Sequence, residues 1–128
     1  MKGQRTTLDQ LTRLARGEVD RVRAELPEQL RQPTESLLVS YAWQPEPGMI
    51  EDGIEPDTLG LFEGDDYAYQ AQPTTERPTR IILYLYNLWQ FARADLKTFL
   101  DEVRTTYLHE MGHYLGLDED DIAERGLE

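Results

Sequence analysis

The stretch TTYLHEMGHYLGLDEDD, residues 105–121, contains both histidines of the 128-residue chain. His109 and His113 lie four positions apart, and Glu110 directly follows the first of them. Side chains four positions apart lie on the same face of a helix, one turn from each other. If this stretch is helical, both imidazoles reach the same point in space, so its secondary structure decides the interpretation.

Asp95 and Gly116 mark the expected ends of a helix that includes this stretch. Aspartate is favoured at helix N-caps, and glycine is favoured just beyond the last turn. At about 100° per residue, apolar and polar side chains separate onto two faces. The apolar face comprises Leu96, Leu100, Val103, Tyr107, Met111 and Tyr114, and the polar face comprises Thr98, Glu102, Thr105, Thr106, His109 and His113. We therefore expect one long helix that turns its histidines toward a cleft or solvent.

The H-E-x-x-H pattern on such a helix predicts a zinc site. His109 and His113 would bind one tetrahedral zinc, and Glu110 would flank the metal as general base toward a water that it holds. Thr105 and Thr106, one turn earlier, are candidates to orient the imidazoles. With two histidines in the chain, chance gives this arrangement on the order of once in several hundred sequences. We therefore favour a metal site over an exposed helix face with two incidental histidines.

A third protein ligand is expected, because zinc hydrolases use three and leave the fourth position for water. In the pattern H-E-x-x-H-x-x-G-x-x-H, the glycine turns the chain off the helix and the last ligand follows three residues later. Gly116 stands at that glycine and Glu119 at that ligand, but there is no third histidine and too little chain follows for a Met-turn. The remaining chain is also too short for a ligand glutamate on a long later helix. By elimination, the third ligand is a carboxylate among residues 118–121, with Glu119 favoured by spacing.

The rest of the chain predicts one helix followed by several strands. Thr7 and Gln10 fit a capping box, and apolar residues then recur at helical spacing until Pro27. Strand composition occurs in residues 36–42, 58–62, 67–71 and 80–86, and loop composition in residues 44–57 and 73–78. RIILYLY, at residues 80–86, is the strongest strand and is expected to be central. The chain is thus predicted to be one α+β domain over residues 1–128.

The composition excludes some classes of partner. The chain has 25 acidic and 13 basic residues and a formal net charge of −12. Such a surface repels nucleic-acid backbones and anionic membranes, so neither is expected as a partner. The first residues have no apolar signal core, and the longest apolar stretch, IILYLYNLW, is too short to span a bilayer. The absence of cysteine permits any compartment, and without a signal a cytoplasmic location is the default expectation.

The block YLHEMGHYLGLDEDDI resembles the signature of the minimal bacterial zincin-like metallopeptidase family, H-E-x-x-H-x-x-G-x-x-D. The resemblance extends to LGLFEGDD, residues 59–66, and to RIILYLY, in the same order and at similar spacing. It implies a minimal zincin-like fold, with a small mixed sheet packed on the active-site helix and an edge strand that aligns an extended peptide. The predicted N-terminal helix would pack against the same sheet.

The resemblance also implies His109 and His113 as ligands and Glu110 as the catalytic glutamate. The family commonly has aspartate where this chain has Glu119. A glutamate is one methylene longer than an aspartate. Either Glu119 therefore binds with a shifted backbone, or the neighbouring Asp118 replaces it.

Pattern and resemblance together predict a zinc-dependent metallopeptidase or amide hydrolase that acts on peptides or unfolded polypeptides. Glu110 would take a proton from water and pass it to the leaving amine. No histidine or tyrosine follows Tyr114 to stabilise the oxyanion. Upstream candidates, none of them preferred, are Tyr67, Tyr69, Tyr84 and Tyr86. The alternative is a non-catalytic metal-binding or protein-interaction module with the same scaffold, although the retained Glu110 favours a hydrolase.

Overall fold

The computed structural model describes residues 6–64, 79–117 and 119–124. The strand predicted at residues 67–71 and the loop predicted at 73–78 lie outside this part of the chain. The elements are α1 (Leu8–Glu25), α2 (Glu28–Thr34), β1 (Leu38–Ala42), α3 (Pro47–Glu51), β2 (Gly60–Glu63), β3 (Arg80–Tyr84), α4 (Leu85–Phe91), α5 (Leu96–Tyr114) and α6 (Glu119–Glu124). The predicted α+β class is confirmed, because the described strands form one small mixed sheet with helices packed on it.

Helix α1 begins where the sequence predicts. The Thr7 hydroxyl accepts from the Gln10 backbone N–H, and the Gln10 side chain accepts from the Thr7 N–H, which completes the capping box. The helix continues unbroken through Gly17 and packs its apolar face against α5. Among the described residues, no helix combines the length and the apolar character that crossing a membrane would need.

Strand β3 is central in the sheet, as its composition predicts. It pairs in parallel with β1, where Leu38 lies opposite Arg80, and antiparallel with β2 on its other side. Because side chains alternate along a strand, Ile81 and Leu83 enter the core shared with the helices. Tyr84 is buried on the other face of the sheet.

In two predicted segments the structure has a helix that the sequence analysis did not expect. The strand expected at residues 80–86 ends at Tyr84, and α4 follows at once, with Leu85 and Leu88 fully buried in the core. The apolar run IILYLYNLW suits a buried strand and a buried helix equally, so its periodicity gives no boundary. The loop expected at residues 44–57 contains the short helix α3, which begins with Pro47 in a position that proline favours.

Helix α5 has the predicted ends but a different buried face. The Thr98 hydroxyl and the Thr98 backbone N–H both donate to the Asp95 carboxylate and hold its pKa below the usual value. Gly116 follows the helix with a φ of 80°. Leu96 is 48% exposed, whereas Phe99 is fully buried. The buried face is therefore rotated toward Phe99 relative to the predicted one.

Candidate metal centre

The histidines of α5 lie next to the residues that bury this helix in the core. Tyr107 and Met111 are fully buried and hold the helix in the core. His109, Glu110 and His113 occupy the neighbouring positions and are partly exposed. Packing of the buried face fixes the helix in the core. The helix in turn fixes the direction in which these three side chains leave it.

The two imidazoles converge at their Nε2 atoms. These nitrogens lie 3.2 Å apart, and the ring planes of His109 and His113 are inclined at 82°. Two nitrogens bound to one tetrahedral zinc at about 2.0–2.1 Å are roughly 3.3 Å apart. One ligand atom from each of His109, Glu110 and His113 lies within 4.8 Å of the others. The cluster can therefore hold a metal ion, and the same separation of the two nitrogens also suits a hydrogen bond between the imidazoles.

A groove of about 300 Å³ borders this cluster. Its walls are Leu59 and Gly60 at the start of β2, and Glu102, Thr105, Thr106, His109 and Glu110 on α5. Of the described strands, β2 forms the edge of the sheet that contacts α5. An edge strand and the histidine-bearing helix therefore face each other across the groove.

Gly60 is a groove residue that the sequence prediction missed. A Cβ atom on Gly60 would lie 2.5 Å from Cγ2 of Thr106 and 3.3 Å from the carbonyl oxygen of Ile82. Only the absence of a side chain lets β2 approach α5 this closely. A lone glycine inside a strand pattern often indicates such an approach, so the sequence TLGLF did contain the signal.

Replacing Gly60 with Ala should lower the free energy of unfolding by roughly 1–3 kcal/mol, because the new methyl group overpacks the contact with Thr106. Gly17 provides a matched control, since a Cβ there would meet nothing within 4 Å. Gly17→Ala should raise the stability by roughly 0.5–1 kcal/mol, as expected in a helix interior. Denaturant unfolding measures both values. Adding Thr106→Ser, which removes Cγ2, should recover part of the Gly60→Ala loss, and a Gly60→Ala chain as stable as wild type would refute the close approach.

The two threonines predicted to orient the imidazoles both line the groove. Thr106 is only 8% exposed and its methyl group faces Gly60, whereas Thr105 is exposed. Thr106 therefore has a packing role between α5 and β2. That either hydroxyl orients His109 or His113 stays a prediction.

The chain reverses directly after the second histidine. The N–H of Gly116 donates to the carbonyl of His113, and the N–H of Leu117 donates to the carbonyl of Gly112. This pair of bonds, with positive φ at Gly116, is a Schellman cap, which turns the chain off the helix as the ligand spacing requires. Glu119 is the first residue of α6, and Asp118 lies outside the described residues. The choice of Glu119 over Asp118 as third ligand stays a prediction.

The fold excludes one of the four tyrosines that are candidate oxyanion donors. Tyr84 lies on the sheet face that points away from α5, where its hydroxyl is 3.5 Å from Sδ of Met49 and burial raises its pKa. Tyr86 lines a pocket that adjoins the groove. Tyr67 and Tyr69 lie outside the described residues. Tyr84 is therefore unsuited to the role.

The sequence matches the model of a known protein family. The family model described as "Zincin-like metallopeptidase" matches residues 35–127. No curated protein matches the chain. The matched range includes the three described strands, α5 and the histidine pair, and it leaves α1 outside.

Proposed function

Because the chain belongs to the zincin-like metallopeptidase family, we propose that it is a zinc-dependent peptidase that hydrolyses peptide bonds in unfolded polypeptides. The observation that carries this proposal is the 3.2 Å separation of the His109 and His113 Nε2 atoms, with Glu110 beside them in a groove. When bound, zinc supplies a Lewis acid for the scissile carbonyl and lowers the pKa of water.

The proposed reaction assigns separate roles to the two histidines, to Glu110 and to strand β2. His109 and His113 would hold the zinc through their Nε2 atoms. Glu110 lies on the groove wall, where its carboxylate accepts a proton from the attacking water and returns it to the leaving amine. Strand β2 lies across the groove, and its backbone would pair with an extended substrate, which its place at the edge of the described strands supports.

The charge of the protein favours basic polypeptides as substrates. A net charge of −12 raises the local concentration of cationic chains and repels nucleic acids and anionic membranes. The groove has a volume of about 300 Å³, which suits a few residues of an extended chain and not a folded domain. We therefore expect unfolded, basic polypeptides to be cleaved in preference to native or acidic ones.

A metal-dependence experiment tests the proposal. Protein stripped with a chelator should cleave no unfolded basic polypeptide, and one equivalent of zinc should restore cleavage, as followed by electrophoresis and mass spectrometry. Zinc binding at one equivalent without cleavage of any unfolded substrate would refute the peptidase. That result would instead support the alternative, a metal-binding module without catalysis.

A zinc titration should identify the third ligand. Glu119 lies three residues after Gly116, where the ligand pattern places its last donor. Glu119→Ala should weaken zinc binding by more than the roughly 10–100-fold typical of losing a partner outside the ligand shell. Glu119→Asp should be partly tolerated, because it restores the residue that is common in the family.

The neighbouring acids provide the matched controls. Asp118→Ala, Asp120→Ala and Asp121→Ala remove the same charge and should leave zinc affinity near that of the wild type. If Asp118→Ala strongly weakens zinc binding and Glu119→Ala leaves it near that of the wild type, Glu119 is not the third ligand.

A further inference from the structure

A second pocket, of about 460 Å³, adjoins the groove. It lies between the segment that leads into β2 and helix α4, and its walls are Asp57, Leu59, Tyr86, Asn87, Gln90 and Phe91. Leu59 belongs to the walls of both cavities. A peptide that lies in the groove can therefore extend a side chain into this second pocket.

Asn87 gives the pocket a fixed hydrogen-bond acceptor. The residue is only 8% exposed, and its Nδ2 donates to the carbonyl oxygens of Pro56 at 2.8 Å and Thr58 at 2.9 Å. Only the nitrogen end of an amide donates, so these two bonds fix its orientation. Within the described parts of the chain, no group donates to Asn87 Oδ1. Among the described residues, the Tyr107 hydroxyl is the buried side-chain polar atom that has no partner, so Asn87 Oδ1 is open to solvent and a ligand in the pocket can donate to it.

The other walls combine apolar surface with negative charge. Phe91 is 58% exposed, which is high for a phenylalanine, and Tyr86 and Leu59 extend the same apolar wall. Asp57 is exposed and adds a carboxylate to the pocket lining. The complementary ligand has an apolar stem, a flat cationic end and several hydrogen-bond donors. An arginine side chain has all three properties, because its methylene groups pack on apolar walls and its guanidinium stacks on aromatic rings.

We propose that this second pocket, with Asn87 Oδ1 and Asp57 as acceptors and Phe91 as a stacking surface, binds an arginine side chain of the substrate polypeptide. This inference rests on the proposed peptidase function, since the groove beside the pocket is where the polypeptide would be cut. It narrows the substrate class from basic polypeptides in general to chains with an arginine near the cleaved bond.

Binding of three matched peptides tests the pocket without relying on catalysis. The peptides are unstructured and differ at one position, which holds Arg, Leu or Glu, and calorimetry measures their affinity for zinc-loaded Glu110→Gln protein. A hydrogen bond to a charged group is worth about 1.5–3 kcal/mol, so the Arg peptide should bind at least about tenfold more tightly than the Leu peptide. Asp57→Lys should remove this preference and favour the Glu peptide.

Two matched controls separate the pocket from the general acidity of the protein. Glu35→Lys changes the charge by the same amount at an exposed position outside the pocket, and should preserve the preference for arginine. Phe91→Ala should weaken binding of the Arg peptide, whereas Leu38→Ala should not, although Leu38 is similarly exposed at 54%. Equal effects of Glu35→Lys and Asp57→Lys, or equal affinities for the Arg and Leu peptides, would overturn the proposal.

The experiments distinguish an error in the proposed arginine pocket from an error in the proposed peptidase function. A preference for arginine that Asp57→Lys removes, with no cleavage of any peptide by zinc-loaded wild type, supports the pocket and refutes the peptidase. Cleavage by the wild type with equal affinity for all three peptides supports the peptidase and refutes the pocket.

Discussion

Glu110→Gln should reduce kcat for peptide cleavage by roughly 100- to 10,000-fold, the usual contribution of a positioned general base. Glutamine has the same shape as glutamate but its amide does not accept the proton of the attacking water. Glu110 lies next to His109 on α5 and lines the groove without being needed as a ligand. The variant should therefore keep about one zinc per chain. Steady-state cleavage of a fluorogenic peptide and elemental analysis measure the two properties.

Glu102 supplies the control for this experiment. It is the other carboxylate of α5 that lines the groove, two turns before Glu110. Glu102→Gln removes the same charge from the same cavity and should leave kcat close to that of the wild type. Equal losses in the two variants would mean that the negative charge of the groove is responsible. A Glu110→Gln chain as fast as the wild type would show that Glu110 is not the base.

His109→Ala and His113→Ala should each lower the zinc content from about one per chain to a level near zero. Each removes one of three expected ligands, and the chain has no further histidine to replace it. Both side chains are partly exposed on a helix, and alanine is the best helix former, so the fold should persist. Elemental analysis measures the metal and circular dichroism measures the helix.

A surface variant of the same helix controls for incidental changes in α5. Asp101 is exposed and pairs with Lys97, which lies one turn earlier on the same helix. Asp101→Ala should bind zinc as the wild type does. Full zinc occupancy in both histidine variants would exclude the site on α5 altogether.

The parts of the molecule that the sequence predicts are those determined by local chemistry. The capping box at Thr7, the N-cap at Asp95 and the turn at Gly116 each depend on a few consecutive residues, and the structure has all three. The histidine pair is likewise local, because helical geometry places side chains four positions apart on one face, where the two Nε2 atoms lie 3.2 Å apart.

The parts that escape prediction depend on contacts between distant segments. Gly60 borders the groove because it meets Thr106 on another element. Asn87 acquires its role through carbonyl groups at Pro56 and Thr58. Strand β3 ends at Tyr84, inside an apolar run whose periodicity does not indicate where the strand ends and the next helix begins. Of these relationships, only the close approach at Gly60 has a signal in its own stretch of sequence, the lone glycine in the strand pattern TLGLF.

The placement of both histidines on one helix has a consequence for the thermodynamics of folding. Leu38 pairs with Arg80 across a long stretch of chain, and such pairings form later than local helical turns. A transient helical turn in the unfolded chain already brings His109 and His113 together, so the unfolded state itself has some affinity for zinc. Zinc that binds both states stabilises the native one by less than the full linkage term. We therefore expect the gain in unfolding free energy on adding zinc to fall short of RT ln(1 + [Zn]/Kd), as measured by denaturant unfolding over a range of zinc concentrations.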